Sequence, residues 1–139
     1  MKTGVVVDAS IWVANLVNKD VFNHLSRAWL ERQHSQGIEL LAPVFLLTEV
    51  AGVISRQTGE PELARRAVEA LSSLPGLTLV RLSDTLVQDA TRLATELGLR
   101  GADALYVAVA DYLEVPLATF DQDQRQRAST ILAEVIVPA

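Results

Sequence analysis

Short apolar runs alternate with longer helix-patterned segments along the whole chain, and that alternation leaves few folds open. The runs are GVVV at 4–7, IELLAP at 38–43, LTLVRL at 77–82, VPLATF at 115–120 and EVIVP at 134–138. Each has strand length, is rich in Val, Ile or Leu, and is bounded by turn or capping residues. Between them, Ser10 is placed to N-cap a helix reaching about Val17, and a second helix covers 22–36 with Gly37 as its stop. Pro43 suits the first turn of a helix running to about Thr58, which Gly59 ends. Pro61 starts an amphipathic helix, with Leu63, Ala67, Val68 and Leu71 on one side. Ser83 and Asp84 open a helix to Leu97. The segment 102–113 is apolar almost all round and so belongs at the centre, and a short helix follows from Gln122. Strands joined through helices pair mainly in parallel. The expected fold is therefore α/β: a single domain over 1–139, with a mainly parallel central sheet flanked by helices on both faces.

Composition narrows the chemistry. Half of the 139 residues are apolar, enough for a sizeable core, and there is no cysteine. Disulfides, thiolate metal sites and a cysteine nucleophile are excluded, so any metal must take oxygen or imidazole ligands. Asp8 interrupts the N-terminal apolar run, which begins after Lys2, before a signal-peptide core could form. No stretch is long and apolar enough to span a membrane. A soluble, cytoplasmic protein is expected. A formal charge of −5 argues against nucleic-acid binding by bulk electrostatics, although a local patch or a bound cation can still hold phosphates.

Four acids stand where such a fold aims side chains at one cleft. Asp8 follows the first strand and Asp121 follows LATF, so both lie at the carboxyl ends of strands, where open parallel sheets bind ligands. Glu49 sits among apolar residues in PVFLLTEVAGVI, and Asp103 opens ADALYVAVA. Each also has a purely local reading: Asp8 as a turn residue, Asp121 as an N-cap, Asp103 as a first-turn acid, Glu49 as a solvent-facing side chain. Taken together, four converging carboxylates repel one another and raise each other's pKa unless a cation sits among them. Hard oxygen ligands point to Mg²⁺ or Mn²⁺.

In order and content, VVVDASIWVA, LLTEVAGV, GADALYVAVA and LATFDQD resemble the motifs of PIN-domain ribonucleases, and the chain length resembles VapC-type toxins of toxin–antitoxin pairs. The resemblance covers almost the whole chain. It implies that Asp8, Glu49, Asp103 and Asp121 are the family's acidic quartet. Ser10 matches its small hydroxyl residue near the metal, and Thr119 matches the threonine of its TxD motif. Asp123 matches a second acid whose role varies. The chain departs from the pattern just after Asp123, where QRQR replaces an aromatic residue, and that puts the local loop shape in question. The implied activity is metal-dependent endoribonuclease cleavage leaving 5′-phosphate and 3′-hydroxyl ends. Asp8, Asp103 and Asp121 would hold the metal, directly or through water, and Glu49 would be a further ligand or the group that orients the attacking water.

Rival readings fare worse. A haloacid-dehalogenase-type phosphatase needs a second Asp two residues after the first and a lysine, but position 10 is serine and the only lysines are Lys2 and Lys19. A receiver domain lacks its acidic pair and late lysine here. Two alternatives share the fold: a module that binds RNA or a partner without cleaving, and a housekeeping nuclease. His24 and His34 lie outside every motif, and Trp12 and Trp29 suit packing. Tyr106 lies one turn from Asp103. Arg100, Arg125 and Arg127 are near the acids in sequence, with a solvated face as their plainer role. The expected partners are RNA, a cognate antitoxin implied by the resemblance, and a second copy of the chain. The homodimer is argued from apolar positions, including Trp29, Leu30, Val53 and Ile54, that the helices at 22–36 and 44–58 are expected to expose.

Overall fold

A computed structural model describes residues 3–139; Met1 and Lys2, the latter part of the leader argument above, lie outside the described residues. In chain order the elements are β1 (Gly4–Val7), α1 (Ala9–Leu16), α2 (Asn23–Ser35), β2 (Glu39–Pro43), α3 (Leu46–Thr58) and α4 (Pro61–Ser72). They continue with β3 (Leu77–Val80), α5 (Asp84–Leu97), α6 (Gly101–Leu113), β4 (Leu117–Ala118), α7 (Gln122–Ala128) and β5 (Val135–Ile136). The strands form one sheet in the order β3-β2-β1-β4-β5, and every pairing is parallel. The chain steps outward from β1 through β2 to β3, crosses back to β4, and then steps the other way to β5. With right-handed crossovers this reversal puts helices on both faces of the sheet.

The central strands are short and wholly apolar because both faces are covered. Val5, Val6 and Val7 of β1 are buried, as are Leu117 and Ala118 of β4. As its all-round apolar sequence requires, α6 is central: Ala104 and Tyr106 to Ala110 are buried, and the helix packs on α5 and against β1, β2 and β4.

Three local expectations are corrected. Asp8, not Ser10, N-caps α1, because its carboxylate already accepts the Ser10 backbone N–H. Pro43 closes β2 instead of opening a helix, and α3 begins at Leu46. Trp29, Leu30 and Ile54 are buried in the core of the chain itself, and Val53 is half-buried, so α2 and α3 do not expose the expected apolar patch. Burial of a Leu or Ile side chain is worth about 1.5–3 kcal/mol, so the fold claims these residues before any partner can. Among the described residues, no helix is long and apolar enough to cross a membrane.

Candidate functional site

β1 and β4 are adjacent, yet the chain leaves β1 toward β2 and leaves β4 toward β5. Their carboxyl ends therefore flank the crevice at which open parallel sheets bind ligands. Asp8 and Asp121 follow these two strands. The Asp8 backbone N–H donates to the Ala118 carbonyl at 3.0 Å, which carries the β1–β4 pairing one residue past Val7.

The Asp8 side chain is almost completely buried, at 5% exposure. Its Oδ2 accepts from the Ser10 N–H at 3.3 Å, the Ser10 hydroxyl at 2.8 Å and the Thr119 hydroxyl at 3.0 Å. Burial pushes its carboxyl above the ordinary carboxylate range, and these hydrogen bonds pull part of the way back. All three donors land on Oδ2, which leaves Oδ1 without a side-chain donor. The same hydroxyls tie the two strand ends together: Ser10 Oγ accepts the Phe120 N–H at 3.2 Å, and Thr119 Oγ1 accepts the Asp121 N–H at 2.9 Å.

The other acids come from the helices around that junction. Glu49, in the first turn of α3, accepts the Tyr106 hydroxyl on Oε1 at 2.6 Å. Burial raises its pKa, as do the charges of Asp8 and Asp103, while the Tyr106 hydrogen bond opposes them. Tyr106 is buried on α6, and burial together with Glu49 drives its hydroxyl far up. Asp103, in the first turn of α6, is raised by burial first and by Asp8 next, with Arg100 opposing. Asp121 N-caps α7 by accepting the Gln124 N–H at 3.0 Å. Asp8, Glu49 and Asp103 thus sense one another's charge, and Asp103 senses Asp121. Asp8 and Asp121 each cap a helix, and those caps follow the adjacent strands β1 and β4.

One cation already sits in this group. Arg100 donates through Nη2 to Asp121 at 2.6 Å and through Nε to Asp103 at 3.1 Å, while its side chain remains 71% exposed. The two carboxylates hold its guanidinium charged. Asp8 has no ion-pair partner among the described residues. Asp123 is engaged elsewhere, by Arg127 at 2.9 Å, and Arg127 also donates to the Leu97 carbonyl at 2.8 Å. Arg125 is exposed. With the side chains so arranged, no group of three or more His, Cys, Asp or Glu among the described residues is set to hold a metal ion. The donor chemistry nonetheless fits a hard divalent cation. It consists of carboxylate and hydroxyl oxygens around a buried acid whose desolvation no side-chain cation among the described residues offsets.

Gln124 was not singled out by sequence. It is fully buried, and its amide lies 2.9 Å from Thr119 Oγ1 and 3.4 Å from the Asp103 carbonyl. Its signal was the departure itself, a polar residue where the resembled pattern has an aromatic one. His24 and His34 are exposed, and Trp12 and Trp29 are core residues.

Solved structures of similar fold come from several organisms. Mycobacterium tuberculosis VapC20, a sarcin–ricin-loop-cleaving toxin, superposes with a TM-score of 0.79 at 18% identity, over 94% of this chain and 98% of that one. VapBC2 from Rickettsia felis, bound to a DNA fragment from its promoter, gives 0.70 at 16% identity, over 96% of both chains. FitAcB from Neisseria gonorrhoeae gives 0.65 at 17%, over 97% and 96%. No curated protein matches in sequence. At these identities the structures speak for the fold, whereas the family model of the PIN domain matches the sequence itself over residues 5–129. The chain belongs to the PIN domain family.

Proposed function

We infer that this protein is a metal-dependent endoribonuclease that hydrolyses RNA phosphodiester bonds, and that it serves as the toxin of a toxin–antitoxin pair. The observation that carries the reading is Asp8: a carboxylate buried at the β1–β4 switch point, without an ion-pair partner among the described residues, within electrostatic reach of Glu49 and Asp103. Such a group is costly to keep unless a cation joins it.

Asp8, Asp103 and Asp121 would hold that cation, Mg²⁺ or Mn²⁺. When bound, it supplies neutralisation of the phosphoryl oxygens and a more nucleophilic water. Ser10 and Thr119 fix the Asp8 carboxylate by occupying Oδ2. Glu49, anchored through Oε1 by Tyr106 and raised in pKa, is suited to take a proton from the attacking water. Arg100 is held only at its tip and is largely exposed, so it can turn from the acids onto a substrate phosphate. Asp123, already paired to Arg127, is assigned no direct part.

The toxin assignment draws support from neighbours that are VapC and FitAB proteins, one of them a toxin that cleaves the sarcin–ricin loop. An antitoxin partner and a homodimer belong to this reading. The homodimer now rests on the resemblance, because Trp29, Leu30 and Ile54, on which it was argued, are core residues and Val53 is half-buried. One observation favours the alternative of a binding module that does not cleave: Arg100 already neutralises Asp103 and Asp121.

The test is RNA cleavage with Mg²⁺ and with EDTA by the wild type, Asp8→Asn and Asp103→Asn. Wild-type cleavage should need the metal and leave 5′-phosphate ends, and each variant should fold and lose most activity. Asp123→Asn should be milder. Cleavage by folded Asp8→Asn at the wild-type rate would refute the site, and an inert wild type would favour the binding module. Growth arrest on expression, relieved by coexpressing the neighbouring reading frame, is required for the toxin role. Sedimentation as a monomer at micromolar concentration would remove the homodimer.

A further inference from the structure

The proposed chemistry needs RNA to approach an acid-rich edge on a chain of charge −5, so neutral contacts have to add to what the cation and Arg100 supply. One such contact stands at the site and has no part in the reaction described above. Phe22 and Phe120 are stacked, with ring centroids 4.5 Å apart and planes 14° from parallel. Phe120 lies between Thr119, which holds Asp8, and Asp121, and its own N–H is bonded to Ser10. The stack therefore begins one residue from the proposed ligand Asp121 and one residue from Thr119, which holds Asp8. Phe120 is half-buried, but Phe22 is 43% exposed and the adjoining Val21 is 87% exposed. Phe120 covers one face of Phe22, so the remaining exposure is on the other face and the edge.

The local sequence spends several hydrogen bonds on holding Phe22 still. Its N–H donates to Asp20 Oδ1 at 2.9 Å, and its carbonyl accepts the Ser26 N–H at 2.9 Å. Next to it, the Asn23 amide donates to the carbonyls of Ala14 and Asn15 at 2.8 and 3.2 Å, pinning the start of α2 to the end of α1. A core function does not explain this effort, because a ring meant for the core would be buried. A rigid, exposed aromatic face beside a phosphodiester site matches the stacking platforms that hold unpaired bases.

We propose that the Phe22–Phe120 stack is a base platform, on which an unpaired nucleobase of RNA stacks to bring its adjoining phosphate to the acids. A base inside a duplex has no free face, so only an unpaired base can use the platform. Every base has a π-face, so the platform selects for unpaired structure and only weakly for sequence. The proposal rests on the nuclease reading for the role of the phosphate, but not for the stacking itself.

The test measures binding of a short fluorescein-labelled single-stranded RNA by anisotropy in Mg²⁺, in the Asp8→Asn background so that the RNA stays whole. Phe22→Leu and Phe120→Leu are compared in that background, with circular dichroism to confirm folding. Phe22→Leu keeps the apolar bulk of an exposed side chain and removes the ring. It should weaken binding about 5- to 100-fold, and the same RNA as a duplex should bind equally weakly to both forms. An RNA carrying abasic sites should lose affinity for the parent and little further for Phe22→Leu. Equal affinity of parent and Phe22→Leu for single-stranded RNA, or no measurable binding by either, would overturn the platform. Wild-type cleavage is scored in parallel. Active enzyme with unchanged Phe22→Leu binding sinks the platform alone, and ring-dependent binding by an inert wild type sinks the nuclease reading alone.

Discussion

At the scale of single residues, the informative group is Asp8. Three β-branched valines followed at once by a carboxylate mark a buried strand that ends in a costly charge, and this much is legible in VVVDAS. Its neighbours are less so, because Thr119 is far away in sequence and only the β1–β4 pairing brings its hydroxyl to 3.0 Å. The cost of Asp8 has a measurable sign. Its folded pKa is raised by burial above the unfolded value, so the folded chain takes up a proton before the unfolded chain does as pH falls. Without metal, stability should increase as pH drops from neutral through that raised pKa, and level off below the ordinary carboxylate value. Glu49 and Asp103 add in the same direction. Asp8→Asn keeps an N-capping side chain and has no proton to gain, so it should be the more stable protein at neutral pH and gain less on acidification. Urea unfolding in EDTA at neutral and mildly acidic pH reads this out. Parallel pH dependences for the two proteins would show that Asp8 is not desolvated as described.

At the scale of elements, the helices were legible from periodicity and from caps such as Ser83 and Gly59, while the starts of α1 and α3 and the ends of strands were not. VPLATF reads as a strand over six residues, yet β4 is only Leu117–Ala118, although the Thr119 N–H still donates to the Ile136 carbonyl at 3.0 Å. The link between α7 and α6 was legible only as a departure, a polar Gln124 where the resembled pattern has an aromatic residue, and nothing in QDQRQR says what its amide would meet. Its amide meets a hydroxyl with only one proton to give. Thr119 faces both Asp8 Oδ2 at 3.0 Å and the Gln124 amide at 2.9 Å. Gln124 Oε1 competes with Asp8 Oδ2 for that proton, while Gln124 Nε2 donates to the Asp103 carbonyl at 3.4 Å. Gln124→Leu, similar in size and without the amide, strands the partners of that buried group. It should cost about 1–3 kcal/mol in chemical denaturation. A variant as stable as the wild type would mean that these bonds contribute nothing.

At the scale of the whole molecule, the sheet order does what no single motif can. It sets the carboxyl ends of β1 and β4, which Asp8 and Asp121 follow, side by side, and the family model spans residues 5–129. The order could be inferred only as far as "mainly parallel", because the sequence carries no signal for which strands are neighbours. The result is a negative edge on a negative protein, with Arg100 as the side-chain cation bridging two of its acids. The central claim is that this edge is a cation site and that Arg100 occupies it in the absence of metal. Calorimetric titration of Mn²⁺ into the metal-stripped wild type, Asp8→Asn and Arg100→Gln tests it most directly. The wild type should bind, Asp8→Asn should bind weaker by roughly an order of magnitude or more, and Arg100→Gln should bind tighter than the wild type. Equal Mn²⁺ affinity in all three proteins, or no binding by the wild type and Arg100→Gln alike, would contradict the account.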